Sequence, residues 1–115
     1  MSKTRRTLLL GAIAAASIGV LPSALADCYD VFGCTDAKAF KLNDLLNGPN
    51  CDFLYTMRNG IYRAHGYCFK TARAIATFGN DGCTVSDANN LSLNPIERSN
   101  AATIARAESV KGCPR

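Results

Sequence analysis

Apolar residues recur at spacings of three and four in two stretches of the chain, each with its own start and stop signals. In "FLYTMRNGIYRAHG", Leu54, Met57, Ile61 and His65 fall on one stripe, the period of an amphipathic helix. Arg58 and Tyr62 flank it. Asp52 is expected as the N-cap. Gly66 is expected as the stop, because glycine enters the left-handed conformation freely. Gly60 in mid-helix costs about 1 kcal/mol relative to alanine, so packing must hold this helix. The second stretch begins where Asn94 caps, Pro95 takes the first helical position and Glu97 completes a capping box. Its stripe runs through Ile96, Asn100, Ile104, Ala107 and Val110, and Gly112 ends it. Asn100 is the polar member of that stripe and requires a partner. Between the two, Thr71 caps a short helix "ARAIATF", with Ile75 and Phe78 as its apolar side and Gly79-Asn80 as its end.

The remaining segments lack such periodicity. "FKLNDLLNGPN" suits a brief helical turn ending at Gly48-Pro49, and "DGCTVSDANNLS" reads as a polar loop. The expected fold is all-α, a small three-helix domain with a short middle helix and no strand pattern. Three regions follow: residues 1–26, an irregular segment 27–50, and a helical domain 51–115.

The first region has the form of an export signal. A basic start with Lys3, Arg5 and Arg6 precedes an apolar run from Leu8 to Leu21, and "ALA" at Ala24–Ala26 supplies the small residues before a cut ahead of Asp27. The run is too short for a bilayer span and is interrupted by Gly11, Ser17 and Gly19. No stable membrane anchor is therefore expected after cleavage. "TRRTLLL" also resembles a twin-arginine motif. The Sec route is preferred, because proteins that oxidise after export are usually threaded unfolded. Periplasmic or secreted localisation in a bacterium follows.

Export changes the reading of charge and of cysteine. The formal net charge of +4 belongs largely to Lys3, Arg5 and Arg6. Without them acids and bases nearly balance, which removes the basic excess that nucleic-acid binding would require. All six cysteines (Cys28, Cys34, Cys51, Cys68, Cys83 and Cys113) lie beyond Ala26. An even number in a short exported chain reads as a disulfide framework, which supplements a core of limited size. With helices running up, down and up, Cys51 meets Cys83 at one end and Cys68 meets Cys113 at the other. Cys28 and Cys34 remain as a local pair. Six cysteines allow other connectivities.

"RNGIYRAHGYCFK", a short helix ending in Phe78, and then "NPIERSNAATIARAE" resemble the YARHG domain, a family of short bacterial extracellular domains. The resemblance runs from about Leu42 to Glu108. It includes Arg58, Asn59, Ile61, Tyr62, His65, Gly66 and Phe69, with Phe78, Glu97, Asn100 and Ile104 downstream. The order here is Tyr62-Arg63-Ala64-His65-Gly66, with arginine and alanine exchanged, so Arg63 points about 100° away from the family's arginine. Gly60 stands where an acidic residue is usual, and Gly82-Cys83 where a tryptophan is common. The resemblance implies an exported helical domain with envelope or surface association. The family's function is uncharacterised.

The chemistry-bearing residues favour binding over catalysis. A Cys–His hydrolase needs a free thiol beside its imidazole, and Cys68, the cysteine near His65, is expected in a bridge. Neither an enzyme nor a cofactor is expected, and a small hydrolase using His65 ranks last. One histidine among bridged cysteines is a poor metal-ligand set. A structural polar network is expected from Arg58, Asn59, His65, Glu97 and Asn100, with Arg58 or Asn59 meeting Glu97 or Asn100 across the helices. Arg98 and Arg106 line one side of the last helix, with Glu97 and Glu108 close by, and are read as a solvated face. Tyr62, Arg63 and Tyr67 are the candidate recognition patch, since tyrosine and arginine dominate interface energetics and tyrosine stacks on sugars. The expected function is a non-catalytic, envelope-associated binding or accessory module, with peptidoglycan or another envelope protein as partner. The alternative is a periplasmic inhibitor or regulatory partner of another protein.

Overall fold

A computed structural model describes residues 26–115, so the expected leader falls outside the described residues except for Ala26. The first element of the described residues is a hairpin, β1 (Cys28–Tyr29) and β2 (Gly33–Cys34), paired antiparallel with Cys28 opposite Cys34. Four helices follow: α1 (Leu42–Asn47), α2 (Cys51–Ala64), α3 (Ala72–Phe78) and α4 (Pro95–Val110). A single 3-10 turn at Ala88–Asn90 lies between α3 and α4. The all-α, three-helix expectation is thus corrected at the N-terminal end. Strands of two residues are too short to show a period of two, and their pairing is supported by the Cys28–Cys34 bridge. Among the described residues no helix is long and apolar enough to cross a membrane.

The start of α2 also differs from expectation. Its N-cap is Asn50 rather than Asp52: extended backbone after Pro49 lets the Asn50 side chain accept from the Phe53 N–H at 2.8 Å. Asp52 instead lies in the first helical turn, where a carboxylate complements the helix dipole. The other caps form as the residue pattern indicates. Thr71 accepts from the Ala74 N–H, and Asn94 with Glu97 makes a reciprocal capping box.

The core lies between α2 and α4, with α1 packed against α4. Leu54, Met57 and Ile61 face Ala101, Ile104 and Ala107, and Leu45 and Phe40 close one side. A second, smaller cluster joins Tyr55, Phe69 and Ala74. Two stripe assignments are corrected. Val110 is exposed, and Ile75 is exposed while Ala74 is the buried residue of α3. α3 has seven residues and lies against the aromatic cluster, where the small Ala74 permits close approach.

This displacement of α3 sets the disulfides. α2 and α4 become antiparallel neighbours, so Cys51 at the start of one meets Cys113 just past the end of the other, at a Cα separation of 5.4 Å. Cys68 and Cys83 then close on each other around α3. The expected Cys51–Cys83 and Cys68–Cys113 pairs are therefore incorrect, since they required α3 to serve as a full antiparallel rod. Cys28–Cys34 forms as expected.

The α-carbon of Gly60 faces the carboxylate of Asp27, which packs the N-terminal segment's side chain against the helix at this position. That segment is further held by Asn100, whose Oδ1 accepts from the Phe40 N–H at 2.8 Å while Nδ2 donates to the Thr35 and Lys38 carbonyls. The polar residue on the core stripe thus satisfies three backbone groups of a loop with no regular structure.

Candidate functional site

The motif helix and α4 are joined by two polar contacts, one toward each end of the apolar stripe. At the end of α2, His65 Nε2–H donates to Glu97 Oε2 at 2.7 Å; the carboxylate only accepts, so Nε2 carries the proton. Nearer the Cys51–Cys113 bridge, Arg58 Nε and Nη2 donate to Glu108 at 2.5 and 3.2 Å. The Glu108 hydrogen bond makes the Arg58 guanidinium still more basic than usual, against the opposing effect of burial.

The expected network therefore forms only in part. His65 and Glu97 meet. Arg58 meets Glu108 rather than Glu97 or Asn100, Asn59 turns back to the Tyr55 carbonyl of its own helix, and Asn100 serves the 35–40 loop. Arg98 and Arg106 are exposed, as a solvated face requires, whereas Glu97 and Glu108 beside them are buried, which corrects the reading for the two acids. The sequence carried a signal for this: Glu97, Ala101, Ile104 and Glu108 recur at steps of four, three and four, a single helical face.

Beyond His65, the chain turns at Gly66, whose φ of +81° suits glycine and whose α-carbon faces Thr84 Oγ1 too closely for a side chain. The Gly66 carbonyl accepts from both Thr84 and Val85 N–H, and Cys68 N–H donates to the Val85 carbonyl. Asn80 acts as a substitute strand for Phe69, accepting from its N–H at 2.7 Å and donating to its carbonyl at 3.0 Å. With the Cys68–Cys83 bridge, these bonds fix the segment from Tyr67 to Lys70 beside α2.

A groove of about 400 Å³ opens between this segment, α2, the end of α4 and the Cys113–Arg115 tail. Its aromatic members are Tyr55, Tyr62, Tyr67 and Phe69, and its cations are Arg58, Lys70, Arg73 and Arg115. The rings are continuous: Tyr62 meets Tyr67 at 6.0 Å, Tyr67 meets Phe69 edge-on at 5.2 Å, and Phe69 stacks on Phe78 at 5.1 Å. The Arg73 guanidinium lies 3.6 Å from the Tyr55 ring centre, and its Nη2 donates to Asp52 at 3.0 Å. Lys70 Nζ donates to the Ser86 carbonyl at 2.5 Å and sits 5.9 Å from the Tyr67 ring. Glu108 is the one acidic side chain in the lining, and Arg58 engages it.

Of the expected patch, Tyr62 and Tyr67 line the groove and are half-buried, whereas Arg63 is exposed and lies outside the lining. Tyr55, Phe69, Lys70, Arg73 and Glu108 were not expected as site residues. Tyr55, Arg58, Asn59 and Tyr62 form a second stripe on α2 at spacings of three and four, which identifies one wall. The other walls depend on non-local pairing. Among the described residues no cluster of His, Cys, Asp and Glu is arranged to hold a metal ion.

Comparison with curated proteins and with solved structures returned no match. The YARHG domain family matches residues 33–109, from the second strand of the hairpin to the last turn of α4. The matched span includes the His65–Glu97 contact, the Asn100 anchor and most of the groove. The chain belongs to the YARHG domain family.

Proposed function

We propose that this is an exported, non-catalytic binding module of the bacterial envelope, with its ligand in the groove beside Tyr62 and Tyr67 and peptidoglycan as its polymer. The observation that carries this reading is the groove itself: two half-buried tyrosines and four cations converge there, with the single lining carboxylate already engaged. Concave sites with convergent polar groups are where small ligands and polymer side groups bind. The non-catalytic reading is supported by the bonding of the chemistry-bearing groups. All six cysteines are in disulfides, and His65 is held by Glu97. Export is supported by three bridges in so small a domain, since disulfides persist in oxidising compartments.

Co-sedimentation of the oxidised protein with purified sacculi tests the reading. Pelleting at low and moderate salt, weakened by Tyr67→Ala with the helical circular dichroism intact, is the expected result. Protein that stays in the supernatant under both conditions would reject it.

A second reading, docking on another envelope protein as an inhibitor or regulator, is favoured by one separate feature. Val31 is 84% exposed at the hairpin tip and Phe53 is 43% exposed, its ring 5.5 Å from that of Tyr29. Such an apolar group suits a protein surface better than a polymer.

A further inference from the structure

We infer that the groove recognises the carboxylates of an acidic peptide rather than sugar rings; this rests on the wall-binding reading above and assigns recognition to the peptide portion of that polymer. Sugar recognition by aromatic residues requires an open ring face, and here the faces are largely taken. Arg73 covers Tyr55 at 3.6 Å, Phe78 stacks on Phe69 with planes 20° apart, and Tyr67 is contacted by Tyr62, Phe69 and the Lys70 ammonium. What remains available is a set of hydrogen-bond donors.

Among the described residues, Lys70 has one acceptor, the Ser86 carbonyl, for an ammonium with several donors. Arg73 lies over the Tyr55 ring and engages Asp52 through Nη2 alone, which leaves the other N–H donors of its guanidinium for a ligand. Both side chains already lie beside the groove, Lys70 near Tyr67 and Arg73 over Tyr55. Glu108, the lining acid, is bound at both oxygens by Arg58 and does not compete for these donors. A donor-rich, acceptor-poor wall of net positive charge complements carboxylates, and guanidinium groups bind them in paired hydrogen bonds. The small side chains Ala74, Ala88 and Ala105 in the lining leave room for short apolar groups such as alanine methyls.

NMR titration of the oxidised protein with three probes tests this: a short D-glutamate-containing wall-type peptide with free carboxylates, the same peptide fully amidated, and a neutral chitin-type oligosaccharide. The free-acid peptide should shift the amide signals of Tyr67, Lys70 and Arg73. Amidation or Lys70→Gln should weaken it roughly tenfold or more, since charge-assisted hydrogen bonds are lost. Lys70 is exposed, so that variant keeps the fold. If the oligosaccharide shifts these signals and amidation changes nothing, the carboxylate assignment is overturned while the groove remains the site. If no probe moves them although the protein still pellets with sacculi, the groove itself is rejected as the wall-binding site. If neither shift nor pelleting occurs, both readings fall together.

Discussion

Glu97 uses its two carboxylate oxygens for different helices: Oε1 accepts from the Asn94 N–H at 2.9 Å and Oε2 receives His65 Nε2–H at 2.7 Å. One buried side chain thereby caps α4 and fastens the end of α2. The histidine that a catalytic reading would single out is a fastener. His65→Ala leaves one oxygen of a nearly buried carboxylate without its partner, and a loss of about 1–3 kcal/mol is expected. His65→Asn should recover part of it. Thermal denaturation of the oxidised variants checks both, and groove ligands should still bind to whatever remains folded.

The disulfide map makes a sharp prediction. Peptide mapping under non-reducing conditions should recover Cys51 with Cys113 and Cys68 with Cys83. Replacing the first pair by serine should cost about 4 kcal/mol and the second about 3 kcal/mol, following the lengths of the loops they close. Urea denaturation of the double-serine variants measures this. Equal losses, or a Cys51–Cys83 peptide, would contradict the antiparallel α2–α4 arrangement.

Asn100→Ala strands the Phe40 N–H and the Thr35 and Lys38 carbonyls around a fully buried site. A destabilisation of about 3 kcal/mol or more is expected. Hydrogen exchange should separate this from a general loosening: protection at the Phe40 amide should fall further than at Ile61 or Ile104.

Gly60→Ala would normally stabilise a helix by about 1 kcal/mol. Here the new methyl group meets only the tip of the exposed Asp27 side chain, which can rotate away, so most of that gain should be realised. Repeating the substitution in an Asp27→Gly background should change the gain little, and the double-mutant cycle reads the contact directly.

Burial, with the charge of Asp27 adding to it, pushes the Tyr29 phenol from 10.0 up to about 12. The folded state holds this proton more tightly than the unfolded chain does. The associated stability is complete below pH 10 and is lost as the pH rises through the folded value. Absorbance titration at the tyrosinate band should show a phenol ionising near the folded value of about 12. Tyr29→Phe should remove that step and flatten the fall in melting temperature over the same interval.

Much of this architecture is local and was legible in the chain. The Asn94-Pro95-Glu97 start of α4, the Thr71 cap of α3, the Leu54–Met57–Ile61 stripe, Gly66 as the stop and the Cys28–Cys34 pair all depend on residues a few positions apart, where backbone geometry constrains which side chains can meet. The second group depends on where α3 lies. Once that short helix leaves the bundle for the aromatic cluster, α2 and α4 become antiparallel neighbours, the two long-range disulfides exchange partners, and Arg58 finds Glu108. The groove is of the same kind: Tyr55 and Tyr62 share a helical face, but Tyr67, Phe69 and Lys70 reach it only because Asn80, Val85 and Cys83 hold their segment in place. Local pattern was enough for the helices, for the caps of α3 and α4 and for the family, while the Asn50 cap and the hairpin escaped it. The tertiary structure alone decided partners and site, because long-range contacts are selected by packing the whole chain at once, and a one-dimensional pattern does not encode them.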